Sequence, residues 1–132
     1  MRLAVIAVVL ACILYTIGHY AAPEVFQSGS LISLRTESTA DESRVRVHGM
    51  IGSGFRYVQS VDVWRDGSAM LMTIKGNLPI LAGLQLTPWL DKTVEIPAGV
   101  TEIRVAPNRD VIWRRGDCRK RLQSYDGWHC ED

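Results

Sequence analysis

Two patterns of apolar and polar positions divide the chain. Residues 3–17 read LAVIAVVLACILYTI, an apolar run without a charge. Residues 18–22 extend it to about 20, the length a helix needs to cross a bilayer. From Gly29 onward the period changes to two, with apolar and polar residues alternating as on half-buried strands. Residues 43–48 (SRVRVH) set Val45 and Val47 against Arg44 and Arg46. Residues 57–65 (YVQSVDVWR) place Val61 and Val63 in one register with Tyr57 and Gln59. Asp66-Gly67 follows at once, a strong hairpin signal. Residues 68–75 (SAMLMTIK) return with Met70, Met72 and Ile74 on one face and Leu71 on the other, the pattern of a strand covered on both sides.

Alternation resumes at residues 92–96 (KTVEI), 101–105 (TEIRV) and 110–114 (DVIWR), separated by Pro97-Ala98-Gly99 and Pro107-Asn108 turns. Residues 78–90 are apolar but broken by Pro79, Gly83 and Pro88, which fits an irregular strand plus a loop, or an edge strand. Residues 36–42 (TESTADE) read as a loop or part of a tether. Beyond Pro23 no stretch holds a helical period with caps. The pattern predicts an all-β fold: an immunoglobulin-like or transthyretin-like β-sandwich of about seven strands, preceded by one N-terminal transmembrane or signal helix. The expected division is residues 1–22 for the signal anchor or signal peptide, 23–116 for the sandwich, and 117–132 for a C-terminal loop closed by a disulfide.

Composition narrows the picture. With 132 residues, 47% apolar and 22% charged, the chain is sized for one globular domain. A net charge of +1 lacks the basic excess of a dedicated nucleic-acid binder, so no nucleic-acid partner is expected. Arg2 precedes the apolar run and the next basic residue is Arg35. The positive-inside rule then keeps the N-terminus in the cytoplasm and exports the remainder. The expected location is the inner membrane, single-pass, with the C-terminal domain in the periplasm.

Three forms of the leader are open. It is a retained anchor, or a cleaved signal peptide, or the leader of a lipoprotein. Cleavage after Ala22 or Ala21 would put Tyr20 or His19 where a small residue is wanted. The lipoprotein form rests on Val9-Leu10-Ala11-Cys12, which resembles a bacterial lipobox with Cys12 as the lipidation site.

Cysteine usage agrees with export. Cys118 and Cys130 flank the polar segment RKRLQSYDGWH and can bond in an oxidising compartment. Such a bridge would pin the C-terminal tail. A metal site from Cys118, His129 and Cys130 matches no common zinc spacing. No metal, cofactor or catalytic residue is expected.

Catalytic constellations are sparse. Gly52-Ser53-Gly54 is the nearest approach to a nucleophile elbow, but it lies between strand-like segments rather than before a helix. His48 is close enough in sequence to serve Ser53 as a base in a small hydrolase. Gly49, Gly52 and Gly54 form no phosphate-binding fingerprint. Asp62 and Asp66 would share a face of one strand, with Asp66 at the turn. Trp64 and Trp113 are expected in the core.

A basic cluster is more informative. Arg114, Arg115, Arg119, Lys120 and Arg121 fall within eight residues, and Tyr125 and Trp128 follow. The cluster reads as a solvated tail partly neutralised by Asp117, Asp126, Glu131 and Asp132, or as a surface for anionic lipid headgroups, other acidic polymers or a protein, in which case Arg119, Arg121, Tyr125 and Trp128 form a candidate partner-binding patch. Packing of Trp128 onto the sandwich, as an anchor for the loop, is the other reading of that residue.

Residues 53–57 (Ser53-Gly54-Phe55-Arg56-Tyr57) and 63–67 (Val63-Trp64-Arg65-Asp66-Gly67) resemble a stretch in the membrane-bound inhibitors of C-type lysozyme, small exported β-proteins. Ser53 matches that family's lysozyme-contacting serine, and Asp66 stands where the family has its contacting lysine. The resemblance implies an enzyme inhibitor that inserts the loop around residues 52–54 into a cleft. The reading that uses most of the chain is different: a membrane-anchored, non-catalytic envelope protein whose exported β-sandwich binds a protein partner. A periplasmic inhibitor and a small hydrolase are the alternatives.

Overall fold

The computed structural model describes residues 1–21, 24–26, 31–51, 57–77, 89–124 and 126–131. A single helix, α1 (Arg2–Ala21), precedes ten strands: β1 (Glu24–Phe26), β2 (Leu31–Ser38), β3 (Arg44–Ile51), β4 (Tyr57–Asp66), β5 (Ala69–Asn77), β6 (Trp89–Glu95), β7 (Glu102–Val105), β8 (Asp110–Arg114), β9 (Lys120–Ser124) and β10 (Gly127–Cys130). The helix is apolar on every side, and residues Arg2–His19 bury nothing against the strands. A uniformly apolar, unpacked helix of this length is one a bilayer would cover.

The strands form two sheets. Sheet I has β5 at its centre: one edge pairs antiparallel with β4, while the other pairs parallel with β7 at Ala69–Met72 and antiparallel with β1 further along. β8 completes sheet I beside β7. Sheet II runs β10-β9-β2-β3-β6, antiparallel throughout. Leu34, Val45, Val47, Leu90 and Val94 from sheet II share one apolar core with Val58, Met72, Ile74, Ile103, Val105, Ile112 and Trp113 from sheet I. Burial of such side chains contributes about 1.5–3 kcal/mol each and is what holds two sheets face to face.

The expected central strand is present: β5 pairs on both edges, and Leu71 and Thr73 on its outward face are buried as well as Met72 and Ile74 on the inward one, which are fully so. Asp66-Gly67 makes the β4–β5 hairpin, with Gly67 at φ +61°, a conformation that suits glycine.

Four expectations change. A bulge between Val58 and Ser60 shifts the β4 register, so Val58 joins Val61 and Val63 on the core side while Gln59 is exposed. Trp64 pairs with Leu71 on the outer face and is 44% exposed, whereas Trp113 is in the core. Residues 31–38, partly read as tether, form β2, the middle strand of sheet II. The segment between the cysteines is also strand: β9 and β10 make a hairpin that extends sheet II through β2.

One glycine is dictated by packing. β2 carries a second bulge between Ile32 and Arg35, with Ser33 at φ +54°. The distortion presses β2 onto β3 at Gly49, where an added Cβ would lie 2.9 Å from Leu34 Cα and 3.2 Å from the Ser33 carbonyl oxygen. In β6, the last strand of sheet II among the described residues, Lys92 pairs with Val47 and is exposed.

Candidate binding surfaces

The leader residues come first. Cys12 is exposed on α1 and is the free cysteine among the described residues. Its carbonyl accepts a hydrogen bond from the Thr16 hydroxyl at 2.7 Å, which satisfies that hydroxyl within the helix in an apolar surrounding.

Cys118 and Cys130 form a disulfide, with Cα atoms 5.9 Å apart. The bond ties the turn before β9 to the last residue of β10, the edge strand of sheet II. Both sulfurs are thereby committed to each other, and the His129 Nε2 lies 2.8 Å from Asp126 Oδ1. Among the described residues no group of three or more His, Cys, Asp or Glu is placed to hold a metal ion.

The hairpin sorts the expected patch into two halves. Arg121 and Trp128 lie on the face of β9 and β10 that turns toward the core. The Arg121 guanidinium sits 5.2 Å from the centre of the Trp128 ring and donates to Asp117 Oδ2 at 3.0 Å. Only 18% of the Arg121 side chain is exposed. This cation–π contact closes the hairpin onto the sheets and uses the ring for packing.

Arg119 and Lys120 face solvent, while their carbonyls accept from the backbone N–H groups of Ser38 and Glu131. Arg114 pairs with Glu102 at 3.7 Å. Arg115 pairs with Glu42 at 3.9 Å and donates to the Val100 carbonyl at 3.1 Å. Tyr125 lies outside the described residues, as do residues 52–54 with Ser53.

Asp62 and Asp66 do share the outer face of β4, where each has a cation: Lys75 lies 3.7 Å from Asp62, and Arg109 pairs with Asp66. His48 sits within β3, with Nε2 3.7 Å from Glu37.

A second surface was not singled out by sequence. The outer face of sheet II carries two cross-strand rows: Leu122, Arg35, His48 and Asp91 in one, and Lys120, Glu37, Arg46 and Thr93 in the other. Arg46 donates to both carboxylate oxygens of Asp91, from Nε at 2.9 Å and from Nη2 at 2.8 Å. These bonds hold the Asp91 carboxyl below the usual carboxylate range and raise the Arg46 guanidinium. Arg35 pairs with Glu131 at 3.5 Å.

Beside these pairs lies a pocket of about 480 Å³ that includes Arg35, Arg46, His48, Met50, Trp89 and Asp91. Trp89 is 60% exposed. The signal was in the chain: Arg44, Arg46 and His48 alternate outward, and Trp89 and Asp91 repeat that spacing on the next strand. The prolines before Trp89 left residues 78–90 open between an irregular strand plus a loop and an edge strand; β6 begins at Trp89.

Elsewhere, Asp41 accepts from the hydroxyls of Thr39 and Ser43, which bring its carboxyl down to about 2. Asp126 is brought to about 2 by the Ser124 hydroxyl and by His129. Comparison of the chain with protein-family models, curated proteins and solved structures gave no match.

Proposed function

We propose that this chain is a membrane-anchored, non-catalytic envelope protein. In this reading α1 spans the inner membrane and the two sheets form a β-sandwich on the periplasmic side that binds a protein partner. The observation that carries it is the helix: twenty residues, apolar on every side and unpacked against the strands, joined to a domain that carries a disulfide. An unpacked apolar helix needs a lipid surrounding, and a disulfide persists outside reducing compartments. The surface that favours a partner is the solvent side of the clamped hairpin. There Arg119 and Lys120 present charge from a backbone fixed by the disulfide and by the Arg121–Trp128 contact, which suits an acidic protein surface.

The test is site-specific photocrosslinking from position 119 in intact membranes, with Lys120→Glu as the competing variant. A discrete adduct that charge reversal weakens supports the reading. Crosslinking that charge reversal leaves unchanged, or a chain that alkaline carbonate strips from the membrane, contradicts it. Arg121→Ala and Trp128→Ala are poorer probes, because both side chains hold the hairpin in place.

A further inference from the structure

We propose that the pocket on the outer face of sheet II, walled by Trp89, Met50, His48 and the Arg46–Asp91 pair, is a binding site for a neutral saccharide. The inference concerns a different surface from the hairpin and does not rest on it.

Size comes first. At about 480 Å³ the pocket falls in the range of small-ligand sites, and it is set on sheet backbone rather than on loop tips alone. Its lining mixes an apolar platform with fixed polar groups. The Trp89 indole, 60% exposed, stands beside Met50, its cross-strand neighbour, and the two make the apolar side of the pocket. Asp91 and His48 pair across the strands one step along on the same face, and Arg46 reaches Asp91 from the adjacent row.

Charge decides the ligand class. Each cation in the lining already has a carboxylate: Arg46 has Asp91 and Arg35 has Glu131. A phosphate or carboxylate ligand would have to displace Asp91 or sit beside it, and like charges at close range oppose that. A cation would meet the two guanidinium groups. What the lining complements is a ligand without net charge that has one apolar face and a rim of groups able both to donate and to accept. A pyranose ring meets that description. Its C–H face suits the indole, its hydroxyls can donate to Asp91, and their oxygens can accept from Arg46, which spends two of its five N–H donors on the carboxylate. Because the ion pair fixes both polar partners before binding, little side-chain order is lost when a sugar enters.

The experiment is calorimetric titration of the full chain, held in a non-glycosidic detergent, with a β-1,4-linked N-acetylglucosamine tetramer and an α-1,4-linked glucose tetramer. Saturable binding of at least one is expected. It should weaken about tenfold or more in Trp89→Ala and in Asp91→Asn, and stay unchanged in Trp64→Ala, whose ring is exposed on the other sheet. The far-ultraviolet circular dichroism and the Tm should match in all variants, as an intact fold requires. Absence of saturable binding by both tetramers up to about 10 mM overturns the proposal. Equal loss in Trp64→Ala, or preferential binding of inorganic phosphate, overturns it as well.

Discussion

The disulfide offers a perturbation whose size can be worked out in advance. Cys118 and Cys130 are separated by 12 positions. A cross-link closing a loop of that size removes chain entropy from the unfolded state worth about 3 kcal/mol at 25 °C. The hairpin it closes is not an appendage. β9 pairs with β2, the middle strand of sheet II, and Trp128 packs against the common core. Loss of the cross-link should therefore lower the stability of the whole two-sheet domain rather than release a tail.

For a domain of about 110 residues, 3 kcal/mol corresponds to a fall in Tm of about 10–15 °C. The comparison is Cys118→Ser/Cys130→Ser against the parent chain, both in detergent, followed by the loss of the far-ultraviolet strand signal on heating. In urea the variant should also show a larger slope, because the unfolded chain without its loop exposes more surface. Adding reductant to the parent should reproduce the variant and leave the variant itself unmoved. A Tm change within about 2 °C, or a reductant effect on the double variant, would refute this reasoning.

Other expectations follow from single contacts. Gly49→Ala should cost about 1–3 kcal/mol in urea denaturation, because the new methyl meets β2 backbone rather than a movable side chain; an unchanged midpoint would show that β2 yields freely. Asp41 and Asp126 have folded-state values of about 2, below the ordinary value of 3.8. A depressed carboxyl stabilises the fold fully above the unfolded value and loses that contribution as pH falls from about 4 through 2, so Tm should drop across that window. Thr39→Ala with Ser43→Ala should flatten the Asp41 part of the drop. Leu10→Arg puts a charge mid-helix at a cost of about 3 kcal/mol and should move the chain out of the carbonate-resistant membrane fraction.

The strands that sequence exposes are those whose alternation is clean and whose ends carry turn residues. Val45 and Val47 against Arg44 and Arg46 mark β3, and Asp66-Gly67 marks the β4–β5 hairpin. β2 was harder: its buried positions past the bulge are Thr36 and Ser38, polar side chains that hide a core face behind a tether-like composition. β9 and β10 were masked in the same way, since their inward positions are Arg121, Gln123 and Trp128, and the arginine is shielded only by its contacts with the indole and Asp117. The β4 bulge flips the register by one residue, which no period-two reading can anticipate. As for the sites, the cysteine pair was legible from spacing and compartment. The sheet II pocket was not, because its walls come from β2, β3 and β6, and only the pairing of Met50 with Trp89 and of His48 with Asp91 brings them together.

The most direct measurement of the central claim is protease access to the domain in cells stripped of their outer layers but with the inner membrane intact, read with and without thiol alkylation. The expected result is digestion from outside before any lysis, leaving a protected fragment the size of α1, with Cys118 and Cys130 unreactive toward alkylation until reductant is added. A domain that resists protease until the membrane is broken, with both sulfurs alkylated directly, would place the two sheets on the cytoplasmic side and contradict export.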